Sequence, residues 1–110
     1  MRVETQPADV QPAEAQPQPA TAGACLTRLE TLAAELAGCG LRTRLVSPPG
    51  RQPSLHVVNP AATALAEDVY AGPGRDGEWW FWWSWAERIA ASADLAAAVS
   101  RISHVLAARV

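Results

Sequence analysis

The stretch Glu78-Trp79-Trp80-Phe81-Trp82-Trp83-Ser84-Trp85-Ala86-Glu87 holds all five tryptophans of the chain and its only phenylalanine. Such a run reads as a β-strand, and in a strand successive side chains point to opposite faces of the sheet. Trp79, Phe81, Trp83 and Trp85 then share one face, and Trp80 and Trp82 share the other. A sheet with one wet face needs only one apolar set. Here both sets are aromatic, so both faces call for cover, and a chain of this size is not expected to supply it twice. The odd set continues through Trp85 to Ile89, broken only by Glu87, and is the expected core face. The even set reads Trp80, Trp82, Ser84, Ala86, Arg88, apolar at one end and polar at the other. That is the pattern of a face left open by the helices.

Working outward, the flanking segments supply a small α+β domain. Leu26, Leu29, Leu32, Ala33 and Leu36 recur at helical spacing, with Arg28, Thr31 and Glu35 on the opposite side. A helix is expected over residues 22–38, stopped by Gly38 and Gly40 in the left-handed conformation that helix ends favour. Leu41 to Val46 alternates, placing Leu41 and Leu45 inside and Arg42 and Arg44 outside. Residues 47–53 form a proline- and glycine-rich loop, and Ser54 to Val58 a second strand. For residues 60–66 two readings stand, a loop or a short helix capped by Asn59 and opened by Pro60. A third strand over about residues 67–71 leads through the turn Gly72 to Gly77 into the aromatic strand. Leu95, Val99, Ile102, Leu106 and Val110 mark a last helix, with Ser92 as its cap and Asp94 suited to the positive end of its dipole. The expected fold is a two-layer α+β sandwich of helix, four-stranded antiparallel sheet and helix, with both helices on one face.

Residues 1–21 form a Pro/Gln/Ala-rich segment with prolines at 7, 12, 17 and 19. It lacks the apolar groups needed to offset ordering entropy and is expected to be disordered, leaving residues 22–110 as the single domain. It has neither the basic start nor the apolar stretch of a signal peptide. No run approaches the roughly 20 apolar residues of a membrane span. A cytoplasmic, non-membrane protein is therefore expected. The whole net charge of −2 resides in Arg2, Glu4, Asp9 and Glu14, so the remainder is neutral, with eight arginines and eight acids. Nucleic-acid binders present a basic surface to the phosphates, and the small cluster Arg42, Arg44, Arg51 falls short of one.

No chemical signature emerges. Cys25 and Cys39 lie near the ends of one expected helix, about 21 Å apart, beyond the roughly 4.4–6.8 Å between Cα atoms of a disulfide. No partner ligands complete a zinc site. Gly72, Gly74 and Gly77 spell a dinucleotide fingerprint, but that motif opens a helix, whereas here it opens a strand and reads as a hairpin turn. His104 belongs to the polar side of the last helix with Ser100 and Arg101. His56 faces away from Leu55 and Val57 with no partner given by spacing. Glu67 and Asp68 point to opposite faces, and Glu78 and Glu87 bracket the aromatic run as charged gatekeepers. No catalytic residue, cofactor or metal is expected, and the chain does not read as an enzyme.

The aromatic stretch, followed by an alanine-rich amphipathic helix, resembles a group of small uncharacterised actinobacterial proteins over most of residues 24–110. In layout alone the chain is similar to the type III secretion chaperone-like fold, which implies pairing as dimers and the holding of an extended partner. The leading expectation is a non-catalytic interaction module that self-associates or binds a protein through Trp80, Trp82 and Arg88. Two tryptophans present about 300–500 Å², enough to rival the largest apolar patch of a typical monomer. The alternatives are cover in cis by the N-terminal segment or the 47–53 loop, both faces being core, a small-ligand sensor with Arg42, Arg44 and His56 supplying polarity, and stacking of single-stranded nucleic acid, the weakest of these.

Overall fold

The computed structural model describes residues 21–106. The expectations for residues 1–20, and for a last helix reaching Val110, lie outside the described residues. Helix α1 spans Ala22–Ala37 and helix α2 spans Leu95–Leu106. Between them run β1 (Arg42–Val46), β2 (Ser54–Val58), β3 (Ala66–Pro73), β4 (Trp79–Trp83) and β5 (Arg88–Ala91). The sheet is a meander in chain order, each strand antiparallel to the next.

The four strands expected from the sequence are thus five, and the aromatic run is where they differ. β4 ends at Trp83, and the chain reverses through Ser84–Glu87. The Trp83 N–H donates to the Glu87 carbonyl at 2.8 Å, and the Ala86 N–H to the Trp83 carbonyl at 2.9 Å. Ala86 turns the corner at φ 67°, in the left-handed region usually left to glycine. The sequence hides this turn because Ser84-Trp85-Ala86 contains none of the glycine, proline or asparagine that marks one. In the β4–β5 pairing Phe81 faces Ala90 while Trp82 faces Arg88, so Ile89 is the extra residue of a bulge.

Trp85 consequently leaves the strand. Expected in the core, it is 52% exposed and stacks on Trp83 with ring centroids 5.2 Å apart and planes 7° apart. Its indole N–H donates to the Glu87 carboxylate at 2.8 Å. The other odd residues behave as alternation requires. Phe81 and Trp83 are buried and Trp79 packs at the margin, in one cluster with Leu55, Val57, Val69 and Ile89. Leu29, Leu32 and Leu36 of α1 and Ala98, Ile102 and Leu106 of α2 complete that cluster. Helix α1 packs on β1, β2 and β3, and α2 packs on β5 and on α1.

The helix ends refine the expected boundaries. Thr21 caps α1, its hydroxyl accepting from the Ala24 N–H at 3.3 Å. At the other end Gly38 keeps a right-handed conformation, and Gly40, at φ 88°, makes the left-handed exit alone. Asp94 caps α2 by accepting from the Ala97 N–H at 3.1 Å. That is the role expected of Ser92, which instead extends the sheet by donating its N–H to the Trp79 carbonyl at 2.9 Å. Residues 60–65 are a turn-rich loop. Asn59 closes it by accepting from the Ala61 N–H at 2.9 Å and bonds the Leu106 carbonyl at 2.8 Å. Using the Asn59 side chain in this way pins the β2–β3 connection to the end of α2. Arg28, expected on the polar side of α1, lies with its guanidinium 3.8 Å from the Trp79 ring centroid, a cation–π contact at the edge of the core.

Two predictions follow from these local features. Ala86→Gly should stabilise the fold by about 0.5 kcal/mol in urea unfolding, because relief of left-handed strain slightly outweighs the added unfolded-state entropy. Ala86→Val should destabilise it, and the reverse ranking would contradict the turn described. Cys25 is buried and Cys39 exposed, and both are free. Burial pushes the Cys25 thiol up, against weaker opposing effects of Arg28 and Gln52. A thiol reagent should therefore label Cys39 rapidly and Cys25 only on unfolding. Equal rates in the native state would be inconsistent with this packing.

Candidate functional site

Strand register decides which side chains meet on the side of the sheet away from the core cluster. Arg44 pairs with His56 and His56 with Asp68, so these three form one row across β1, β2 and β3. Tyr70 pairs with Trp82 and Trp82 with Arg88, forming a second row across β3, β4 and β5. Trp80 pairs with Gly72, and Arg42 with Val58. Residues directly opposite in a ladder share a face. Arg42, Arg44, His56, Trp80, Trp82 and Arg88, picked out separately from the sequence, therefore lie on one surface.

The aromatic part of that surface is less open than alternation alone suggests. Trp82 has 0% exposure and donates its indole N–H to the Gly72 carbonyl at 3.1 Å. It is an anchor of the face rather than contact area, and the two-tryptophan patch shrinks to one ring. Trp80 is half-buried, with the Arg88 guanidinium 4.5 Å from its ring centroid. Arg88 thus belongs with the tryptophans as expected, but it arrives from a neighbouring strand instead of farther along the same one. The Trp80 indole nitrogen is buried without a hydrogen-bond partner among the described residues. Gly74 lies against that indole, since a Cβ there would meet Trp80 Cδ1 at 3.4 Å. The Gly72–Gly77 segment works as a hairpin. The Gly74 N–H donates to the Glu78 carbonyl at 2.7 Å, and Gly77 takes φ 86°.

The polar row contains a pair that spacing along the chain could not reveal. His56 Nδ1 lies 2.8 Å from Asp68 Oδ1, with the side chains 35% and 44% exposed. Exposure of that degree limits the pair to about 1 kcal/mol or less, so its main effect is to orient the imidazole. A general base also needs a group to deprotonate. Among the described residues no hydroxyl or thiol is hydrogen-bonded to His56. Asp68 and Tyr70 were missed as site residues because their membership depends on the β2–β3 and β3–β4 registers. The available signal was the even parity they share within β3. Beside Tyr70 a cavity of about 280 Å³ opens between Gln52 and the Ser84–Ala86 turn.

The paired strands place Arg42, Arg44 and Arg88 on this face against Asp68, so its sheet surface is positive, while Asp76 Oδ1 lies beside Gly74 at the Trp80 end. Among the described residues no group of three or more His, Cys, Asp or Glu side chains could hold a metal ion. No described helix is long and apolar enough to cross a membrane. A scan against protein-family models found no match, and searches of curated proteins and of solved structures found none either.

The two even tryptophans can be told apart by stability. Trp82→Phe should cost about 1–3 kcal/mol in urea unfolding, because it removes a buried hydrogen bond to the Gly72 carbonyl and leaves a smaller ring in a fully buried site. Trp80→Phe, which removes a nitrogen that has no partner, should cost less than half as much. Equal losses would overturn the assignment of Trp82 as anchor.

Proposed function

We propose that the chain is a non-catalytic interaction module. In this reading α1 and α2 lie together on one side of the sheet. The opposite side, from Arg42 and Arg44 through His56 and Tyr70 to Trp80 and Arg88, docks an acidic, extended protein segment. The carrying observation is register, which gathers three arginines and the partly open Trp80 on one side of a meander. The shared cluster of both helices with Phe81, Trp83 and the odd residues of β2 and β3 supports the placement of the helices. The similarity of layout to the secretion chaperone-like fold, whose members hold an extended partner, points the same way.

Charge selects the occupant. Face-to-face pairing of two copies would bring together two surfaces that each carry Arg42, Arg44 and Arg88, and an excess of like charge across an interface is costly. A single-strand nucleic-acid platform needs ring faces free for stacking. Here Trp82 is buried and the Trp80 ring already carries the Arg88 guanidinium. An acidic segment meets the arginines with opposite charge, and the cavity beside Tyr70 is placed to take one of its side chains.

Fluorescence anisotropy would test this with three labelled probes, a glutamate- and aspartate-rich dodecapeptide containing one phenylalanine, its lysine-substituted counterpart, and an oligo-dT 15-mer. The acidic peptide should bind, weaken as salt rises, and weaken at least about tenfold in the Arg42→Glu/Arg44→Glu double variant, since two contacts become repulsions. Binding of oligo-dT in preference to the acidic peptide would overturn the reading. So would a concentration-dependent dimer abolished by the same double variant.

A further inference from the structure

We propose that the cleft between α2 and the β4–β5 turn is a second site, one that takes a small molecule combining a planar ring with a carboxylate or phosphate. The cavity measures about 470 Å³, within the roughly 300–1,000 Å³ of small-molecule sites. Its floor is Trp83, and its walls include Ser100, Arg101, His104 and Val105 of α2 and Glu87 at the start of the return strand. The side chains of α2 that enter the core are Ala98, Ile102 and Leu106. Arg101 and His104 are one turn apart and neighbours on the helix surface, so the cleft is built from a side of α2 that the core does not use.

Two independent features mark this place. The large hydrophobic side chains left exposed are Trp85 at 52% and Val105 at 47% among the described residues. Val105 lines the cleft, and Trp85 stacks on Trp83, which lines it too. Charge is the second feature. Arg101 and Arg88 border the cavity, and its carboxylate, Glu87, already accepts the Trp85 indole N–H at 2.8 Å. That bond and the stack on Trp83 hold Trp85 against two residues that line the cleft, and they engage its one negative group. A ring fits against the exposed indole and Val105, and an anionic group fits Arg101 and His104, since guanidinium geometry suits both carboxylate and phosphate.

This site shares Arg88 with the proposed docking face, but its test uses Arg101 and Trp85 and is independent of that reading. Isothermal titration calorimetry of the full chain would use indole-3-acetate and adenosine 5′-monophosphate as probes, one for each anion class. Inorganic phosphate and indole-3-acetamide supply the anion and the ring alone. At least one ring-bearing anion should bind about tenfold or more tighter than either single-feature probe, and which of the two does so identifies the anion class. Arg101→Gln and Trp85→Ala should each weaken that binding about tenfold, the effect of losing one charge-assisted hydrogen bond or one stacked ring. Both residues are exposed, so the variants should fold, and Trp85→Phe should restore most of the affinity. Arg44→Gln should leave it unchanged. Absence of saturable binding by both ring-bearing anions, or binding that survives Arg101→Gln and Trp85→Ala, would overturn the proposal.

Discussion

Everything in this fold depends on one geometric constraint, the strict alternation of side chains along β4. Five consecutive aromatic residues in an extended strand cannot all enter one core. Phe81 and Trp83 go to the cluster that α1 and α2 share, with Trp79 at its margin under Arg28. Trp80 and Trp82 are driven to the other side of the strand. The sheet accommodates them unequally. Trp82 sinks between Tyr70 and Arg88 on the adjacent strands and ties its nitrogen to the backbone at Gly72. Trp80 stays half-open beneath a guanidinium. The burial of Trp82 and the exposure of Trp80 are two outcomes of the same requirement.

The β4–β5 turn is the second determinant, because it converts a long aromatic strand into a hairpin. Without the left-handed Ala86, Trp85 would continue toward the core and Arg88 would lie well beyond the tryptophans. With it, Trp85 folds back onto Trp83, and Arg88 returns alongside Trp82 with its guanidinium over Trp80. The turn therefore helps to build two surfaces, the positive face and the cleft beside α2, and Arg88 borders both. A ligand or partner that engages Arg88 acts on a residue shared between them.

Periodicity made much of the fold legible, and contacts between distant segments hid the rest. The leucine spacing of α1, the Leu55/His56/Val57 alternation of β2 and the 95–106 repeat of α2 each depend on local pattern, and the structure keeps all three except at Leu26, where Cys25 is the buried residue. Alternation also separated Phe81 and Trp83 from Trp80 and Trp82 correctly. It failed at Ser84–Ala86, where Ser84 alone favours a turn and alanine takes the left-handed position, and so missed both β5 and the exposure of Trp85. The candidate residues Arg42, Arg44, His56, Trp80 and Arg88 could be chosen one at a time, but their gathering on one surface needed the register of four strand pairs. Pairing of His56 with Asp68 is invisible for the same reason, since twelve positions separate them in sequence. The capping of α2 by Asp94 rather than Ser92 turned on a sheet hydrogen bond from Ser92 to Trp79, again a contact between distant segments.

The reading of the positive face rests on where an acidic partner lands. Amide and indole chemical-shift mapping by NMR, titrating the acidic dodecapeptide into the labelled chain, locates that contact without any substitution. The shifts should concentrate on Arg42, Arg44, His56, Tyr70 and the Trp80 indole, while the amides of Leu32 and Ile102 stay unmoved. Shifts confined to α1 and α2, with β1 to β4 silent, would contradict it.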